Sequence, residues 1–134
     1  YTTVEEAKYF YEQTGVDMLA VSIGTTHGLY LTKPKLNFDR ISELKEYIPI
    51  PLVMHGGSGL TPDDYTECAK RGITKINFAT YMFMEGGKYM KEAIEKNQDK
   101  PAEFNTLLKA GMEGQKAIIR EHIKYFGTMK YNEF

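Results

Sequence analysis

Pro51-Leu52-Val53-Met54-His55-Gly56-Gly57-Ser58-Gly59 is the stretch that decides the fold. A short apolar run ends in a histidine and then in a loop with three glycines in four residues. Such a run suits a strand buried on both faces, and the loop has maximal backbone freedom. Thr61-Pro62-Asp63-Asp64 comes next, a Thr N-cap with proline at the first helical position. The helix is predicted to run to about Arg71, with Gly72 as its cap, and Ile73-Thr74-Lys75-Ile76-Asn77-Phe78 reads as another strand.

The same unit appears upstream. Val16-Asp17-Met18-Leu19-Ala20-Val21-Ser22-Ile23 is nearly continuously apolar and predicts a strand covered on both faces. Gly24-Thr25-Thr26-His27-Gly28 follows as a small-residue loop, and Asp39 to Tyr47 reads as a helix with Ile41, Leu44 and Ile48 on one face. Before it, Thr2-Thr3-Val4-Glu5-Glu6 has the capping-box pattern, Ala7, Phe10 and Tyr11 lie at helical spacing, and Thr14-Gly15 stops the run. Downstream of Thr80 no further strand is predicted. Met84 to Lys96 reads as a helix, and Pro101 opens a long one to about Tyr125, striped by Phe104, Leu107, Leu108, Met112, Ile119 and Ile123. The order is α-β-α-β-α-β and then helices, which means parallel βαβ units in an α/β fold.

Composition narrows the function classes. The chain has 134 residues, 42% apolar and 26% charged, as a soluble globular chain has. Seventeen basic and eighteen acidic residues give a net charge of −1, so no electrostatic argument favours nucleic acid or a membrane surface. The single cysteine, Cys68, excludes an internal disulfide framework and fits a reducing, cytoplasmic setting. No apolar run reaches the roughly 20 residues of a spanning helix. The opening residues have no basic stretch followed by an apolar one, so they do not read as a signal peptide. Cys68 is expected to be a small buried side chain, His122 to lie on the surface or in helix packing, and the charged run from Lys88 to Lys100 to be a solvated helix face.

Ligand-binding residues of parallel α/β proteins gather beyond the carboxyl ends of the strands. His27 falls just past the first strand and His55 at the end of the second. Neutral imidazole is the commonest protein ligand of divalent ions, so the two could face one metal; the bland alternative is that each bonds only its own loop. The Gly56-to-Gly59 loop lets backbone N–H groups converge on an anion, Ser58 adds a hydroxyl, and the helix that follows adds its dipole. The third strand ends in Asn77-Phe78-Ala79-Thr80, where Asn77 and Thr80 could bind hydroxyls or phosphate oxygens, or Thr80 could simply cap a helix.

Taken together, these residues resemble the class II, metal-dependent ketose-bisphosphate aldolases. The resemblance is carried by Thr14-Gly15-Val16-Asp17 with Ala20-Val21, by Ile23-Gly24-Thr25-Thr26-His27-Gly28, by Ile50-Pro51-Leu52-Val53-Met54-His55-Gly56-Gly57-Ser58-Gly59, by Gly72-Ile73-Thr74-Lys75-Ile76-Asn77 and by the late Phe126-Gly127. It covers most of the chain and implies the carboxyl-terminal part of a TIM (β/α)8 barrel. Residues 1–134 would be about the last three βα units plus terminal helices of one barrel domain, with the amino-terminal half absent. Three strands alone would leave much apolar surface and are not expected to fold stably as a monomer.

The resemblance implies reversible aldol cleavage of a ketose 1,6-bisphosphate to dihydroxyacetone phosphate and glyceraldehyde 3-phosphate, a glycolysis-type lyase reaction. Fructose 1,6-bisphosphate is the first expectation and tagatose 1,6-bisphosphate the second. His27 and His55 would be two ligands of a divalent ion, zinc first. Gly28, Gly56, Ser58 and Thr80 would bind the dihydroxyacetone phosphate end, and Asn77 would hold the enediolate hydroxyl. A monovalent cation, Na+ or K+, is implied near Gly28, Gly56 and Ser58. The third metal histidine and the proton-transferring Asp belong to earlier strands, so no catalytic residue is expected within these residues and the chain alone is expected to be inactive. A phosphorylated sugar is the expected partner, with no nucleic acid and no membrane, in a homodimer or higher homo-oligomer. One departure bears on substrate: fructose-bisphosphate members commonly carry Asp or Asn where this chain has Ala79, and tagatose-bisphosphate members usually carry Ala. Tyr81-Met82-Phe83-Met84 is also unlike the commoner family patterns. The alternative from another class is a non-catalytic phosphate-binding or oligomerisation fragment of such a barrel.

Overall fold

The computed structural model describes residues 1–96 and 101–128. Helices and strands alternate as α1 (Val4–Thr14), β1 (Leu19–Ala20), α2 (Phe38–Tyr47), β2 (Leu52–Met54), α3 (Pro62–Arg71) and β3 (Ile73–Ile76), then α4 (Thr80–Lys96) and α5 (Phe104–Tyr125). The strands form one parallel sheet in the order β1-β2-β3. Leu19 pairs with Leu52 and Ala20 with Val53; on the other side Leu52 pairs with Ile73 and Met54 with Ile76. The register slips between Leu52 and Val53, so that Val53 faces Lys75. Among the described residues no helix is long and apolar enough to cross a membrane.

Local chemistry explains the helix ends. Thr3 accepts from the Glu6 N–H while Glu6 accepts from the Thr3 N–H, and Thr61 and Asp64 form the same reciprocal box. Each box satisfies two of the orphan donors at a helix start. Gly15 closes α1 in the left-handed conformation, φ 63°, and its N–H reaches the Tyr11 carbonyl. Asn37 caps α2 through the Arg40 N–H.

The core is the face of the sheet against which α2 and α3 pack. Ile41 and Leu44 from α2, Tyr65 and Cys68 from α3, and Leu52 and Met54 from β2 are all fully buried. Burying a Leu or Ile side chain contributes about 1.5–3 kcal/mol, so this cluster is the main source of cohesion. On the rim, Arg71 of α3 donates to Glu67 and across to Asp39 of α2, tying the two helices over the core. α4 and α5 pack on each other through glycines: a Cβ at Gly114 would stand 2.7 Å from the Glu85 carbonyl and 2.8 Å from the Tyr89 ring.

Two sequence expectations shift, and a third, left between two outcomes, is decided. The first strand is predicted over Val16–Ile23 and covered on both faces, but β1 is only Leu19–Ala20 and Ala20 and Ser22 are exposed while Val21 and Ile23 are buried. Among the described residues β1 pairs with β2 alone, and Val21 and Ile23 just after it join the core while Ala20 and Ser22 stay outside it. α4 starts at Thr80 rather than Met84, because Ser58 Oγ accepts the Tyr81 N–H and supplies a cap from another segment. His122 is buried, within ring-packing distance of Tyr65, Phe78, Tyr125 and Phe126, so of the two expectations for it helix packing holds. The last residues of the charged run, 97–100, lie outside the described residues.

Cys68 is fully buried, as expected, and burial, aided by Asp64 and Glu67, pushes its thiol up to about 12. Since the thiolate is the reactive form, Cys68 should stay unlabelled by an aromatic disulfide reagent at pH 8 in the native full-length protein and react on denaturation. Quantitative labelling within minutes, with circular dichroism unchanged, would contradict this packing.

Candidate active site

Parallel pairing places the carboxyl ends of β1, β2 and β3 side by side, and each leads into a segment that turns over the same end of the sheet. The hydrogen bonds continue past the strand ends. The Val21 N–H donates to the Val53 carbonyl and the Asn77 N–H to the Met54 carbonyl, so His55 and Asn77 leave the sheet from neighbouring positions. The Gly57 N–H then donates to the Asn77 carbonyl at 3.2 Å.

Gly56 decides how closely the two histidine loops approach. Its φ is 66°, and a Cβ there would run into the Thr26 carbonyl. Only glycine combines that backbone angle with that contact. The Thr26–His27 segment therefore lies directly on the β2 loop, and the His27 and His55 rings stand with centroids 5.5 Å apart at 55° to each other. Both side chains are exposed on the open side of the loops.

A cavity of about 330 Å³ is lined by His27, Gly28, His55, Gly56, Gly57, Ser58, Asn77, Ala79 and Thr80. Every residue singled out from the sequence, His27, His55, Gly28, Gly56, Ser58, Asn77 and Thr80, therefore faces one space. A second hollow on the far side of the histidines is lined by Ala20, Val21, Ser22, Thr25 and Thr26 with the same two rings. Ser58 is nearly fully buried, and its oxygen is held against the first turn of α4 by the Tyr81 N–H at 3.4 Å.

Asn77 is more engaged than the sequence suggested. Its Nδ2 lies 3.2–3.3 Å from the ring nitrogens of His55, and its Oδ1 accepts from Lys75 Nζ. Lys75 was not singled out; it sits two residues before Asn77 on β3, so their side chains fall on one face of the strand. Tyr30 and Tyr65, whose hydroxyls reach the carbonyls of Gly56 and Gly57, were also missed. Their contacts span 26 and 8 residues, and neither has a local sequence signal.

The two histidines fit a shared divalent ion. Two imidazoles on one tetrahedral zinc, each nitrogen about 2 Å from the metal, place their ring centroids roughly 5 Å apart, close to the 5.5 Å found. Among the described residues no third His, Cys, Asp or Glu joins them. Zinc sites use three or four protein ligands, so the pair alone would not complete one.

Comparison with known proteins identifies the family. The family model described as fructose-bisphosphate aldolase class-II matches residues 1–130. The structure is similar to that of the YdjI aldolase from Escherichia coli K12, with 35% sequence identity and a TM-score of 0.75 over 96% of this chain and 45% of that one. It is also similar to a putative fructose-1,6-bisphosphate aldolase from Coccidioides immitis, 26% identical, with a TM-score of 0.85 over 99% of this chain and 45% of that one. The fold recurs in fructose-bisphosphate aldolase from Campylobacter jejuni, 22% identical, with a TM-score of 0.81 over 96% of this chain and 46% of that one. The chain spans less than half the length of each of these proteins. With the family match running through all three strand ends and their loops, the chain belongs to the class II fructose-bisphosphate aldolase family.

Proposed function

We propose that these residues are the carboxyl-terminal portion of a (β/α)8 barrel that carries out metal-dependent aldol cleavage and condensation of a ketose 1,6-bisphosphate. The products of cleavage are dihydroxyacetone phosphate and glyceraldehyde 3-phosphate. The observation that carries the proposal is the convergence of the His27 and His55 rings, 5.5 Å apart, on the rim of the cavity lined by Gly28, Gly56, Ser58, Asn77 and Thr80. Zinc is the first proposal for the ion, one of several that imidazole suits, and when bound it would supply a Lewis acid for the substrate carbonyl.

The other residues bind and orient. Ser58 and Thr80, with the start of α4 and the backbone N–H groups of the Gly56–Gly59 loop other than that of Gly57, which bonds the Asn77 carbonyl, suit the phosphate of the dihydroxyacetone half. Gly28 and Gly56 leave room for the substrate chain to pass close to backbone. The Asn77 amide, held by Lys75 at one atom and near His55 at the other, would bond a substrate hydroxyl. The third metal ligand and the carboxylate that moves the proton would come from outside residues 1–134, so the chain alone should show no turnover.

In the full-length protein, His27→Ala or His55→Ala should lower kcat at least about 100-fold and strip most of the bound metal, because losing one ligand or its orientation costs orders of magnitude. Binding of inorganic phosphate should survive both changes. A double variant with stoichiometric metal by elemental analysis and wild-type turnover would overturn the assignment.

Fructose 1,6-bisphosphate is the first proposal for substrate and tagatose 1,6-bisphosphate the second. Ala79 lines the cavity and offers no polar contact to tell the C4 epimers apart. A hydrogen bond made to one epimer alone is worth roughly 1–3 kcal/mol in a desolvated site, or about 10- to 100-fold in specificity. The parent should therefore discriminate weakly, and Ala79→Asp should move the ratio of kcat/KM for the two sugars by about tenfold or more. A parent already strongly selective for fructose bisphosphate, with a ratio that Ala79→Asp leaves within a few-fold, would exclude position 79 as the discriminating one.

A further inference from the structure

Two tyrosine hydroxyls outside the lining of the cavity fix the backbone of its phosphate loop. Tyr30, in the segment between β1 and α2, donates to the Gly56 carbonyl at 2.7 Å and accepts from the Thr26 N–H at 3.3 Å. Tyr65, fully buried on α3, donates to the next carbonyl along, that of Gly57. Two consecutive carbonyls of the loop are thus each bonded by a phenol.

Peptide geometry gives this a consequence. Among the described residues all peptide bonds are trans, so the N–H after each carbonyl points the opposite way. Holding the Gly56 carbonyl directs the Gly57 N–H, which meets the Asn77 carbonyl at 3.2 Å. Holding the Gly57 carbonyl toward the core turns the Ser58 N–H away from the core. Ser58 is the residue whose side chain lines the cavity and bonds the first turn of α4. The Tyr65 ring is itself braced by α5, with the His122 ring at 5.4 Å and the Phe126 ring at 5.1 Å. Tyr30 joins the two histidine loops, since one hydroxyl bonds both Thr26 and Gly56. Burial raises both phenols above the usual tyrosine range, so both remain O–H donors at neutral pH.

We propose that Tyr65 and Tyr30 are positioning residues for binding a phosphate monoester in this cavity: the Tyr65 hydroxyl sets the direction of the Ser58 N–H, and the Tyr30 hydroxyl locks the His27 loop to Gly56. This rests on the reading that the cavity takes the phosphate end of the substrate. It goes beyond that reading in assigning the preorganisation of the cradle to two side chains that do not line it. A freely rotating Gly-Gly-Ser-Gly loop would have to order on every binding event, and the two hydroxyls remove that cost in advance.

The test compares full-length wild type with Tyr65→Phe and Tyr30→Phe, which keep the rings and remove only the hydroxyls. Tyr125→Phe is the control, because that hydroxyl bonds Glu121 on the exposed side of α5. Calorimetry with inorganic phosphate and steady-state kinetics with fructose 1,6-bisphosphate give the readouts. Each of the two variants should weaken inorganic phosphate roughly 3- to 10-fold and raise KM by a similar factor; Tyr65→Phe should keep kcat within about twofold and metal content unchanged, whereas Tyr30→Phe, which also releases the His27 loop, should lower metal content as well. Tyr125→Phe should match wild type in both. A purely structural role would lower melting temperature without this split between KM and kcat. Wild-type phosphate affinity and KM in both variants would overturn the proposal, as would a loss confined to kcat. If Tyr65→Phe fails to fold, Tyr30→Phe decides alone, since Tyr30 is only half-buried. Absence of phosphate binding by wild type would instead remove the phosphate-site reading itself, and the positioning roles with it.

Discussion

The parallel pairing of β2 with both β1 and β3 is the constraint on which the rest depends. Because all three strands run the same way, their carboxyl ends lie at one edge of the sheet, and three loops separated in sequence become neighbours. An antiparallel arrangement would send His27 or Asn77 to the opposite edge. The pairing persists past the strands through the Val21-to-Val53 and Asn77-to-Met54 hydrogen bonds. What holds it is burial: Leu52 and Met54 in the middle strand and Ile41, Leu44, Tyr65 and Cys68 on the covering helices are sealed from water. The site is thus built on the rigid part of the molecule, as a site needing fixed geometry should be.

Close approach of loops is the second requirement, and glycine meets it. At Gly56 a side chain would collide with the Thr26 carbonyl, and at Gly57 a Cβ would stand 2.8 Å from Ile76 Cγ2 and 3.0 Å from the Asn77 carbonyl. Removing those side chains lets three backbones converge. It also leaves a loop with high intrinsic freedom, which the hydrogen bonds from Tyr30, Tyr65 and Gly57 then restrict. Freedom to reach the geometry and constraint to keep it come from different residues.

Much of this was legible in the sequence, for identifiable reasons. The helix starts at Thr3 and Thr61 are written in local pairs three residues apart, so α1 and α3 are read with their caps in place. β2 and the histidines are read because strand ends in parallel α/β chains concentrate ligands at a predictable place. The extent of β1 was not legible, because an apolar run such as Val16–Ile23 does not say which neighbours will cover it. The start of α4 at Thr80 was missed since its cap, Ser58, lies 23 residues before the Tyr81 N–H that it accepts. The same holds for Tyr65, Tyr30 and Lys75. Their roles depend on which carbonyl or amide the fold brings to them, and no periodicity or motif encodes that.

The central claim is that two strand-end histidines from this chain hold one divalent ion beside a phosphate cradle. Anomalous diffraction at the zinc edge, from crystals of the full-length protein grown with zinc, tests it most directly. The account predicts one strong peak with ring nitrogens of both His27 and His55 about 2.0–2.1 Å away. A fully occupied zinc bound elsewhere, with neither ring nitrogen within about 3 Å in a protein whose crystals turn over substrate, would contradict it.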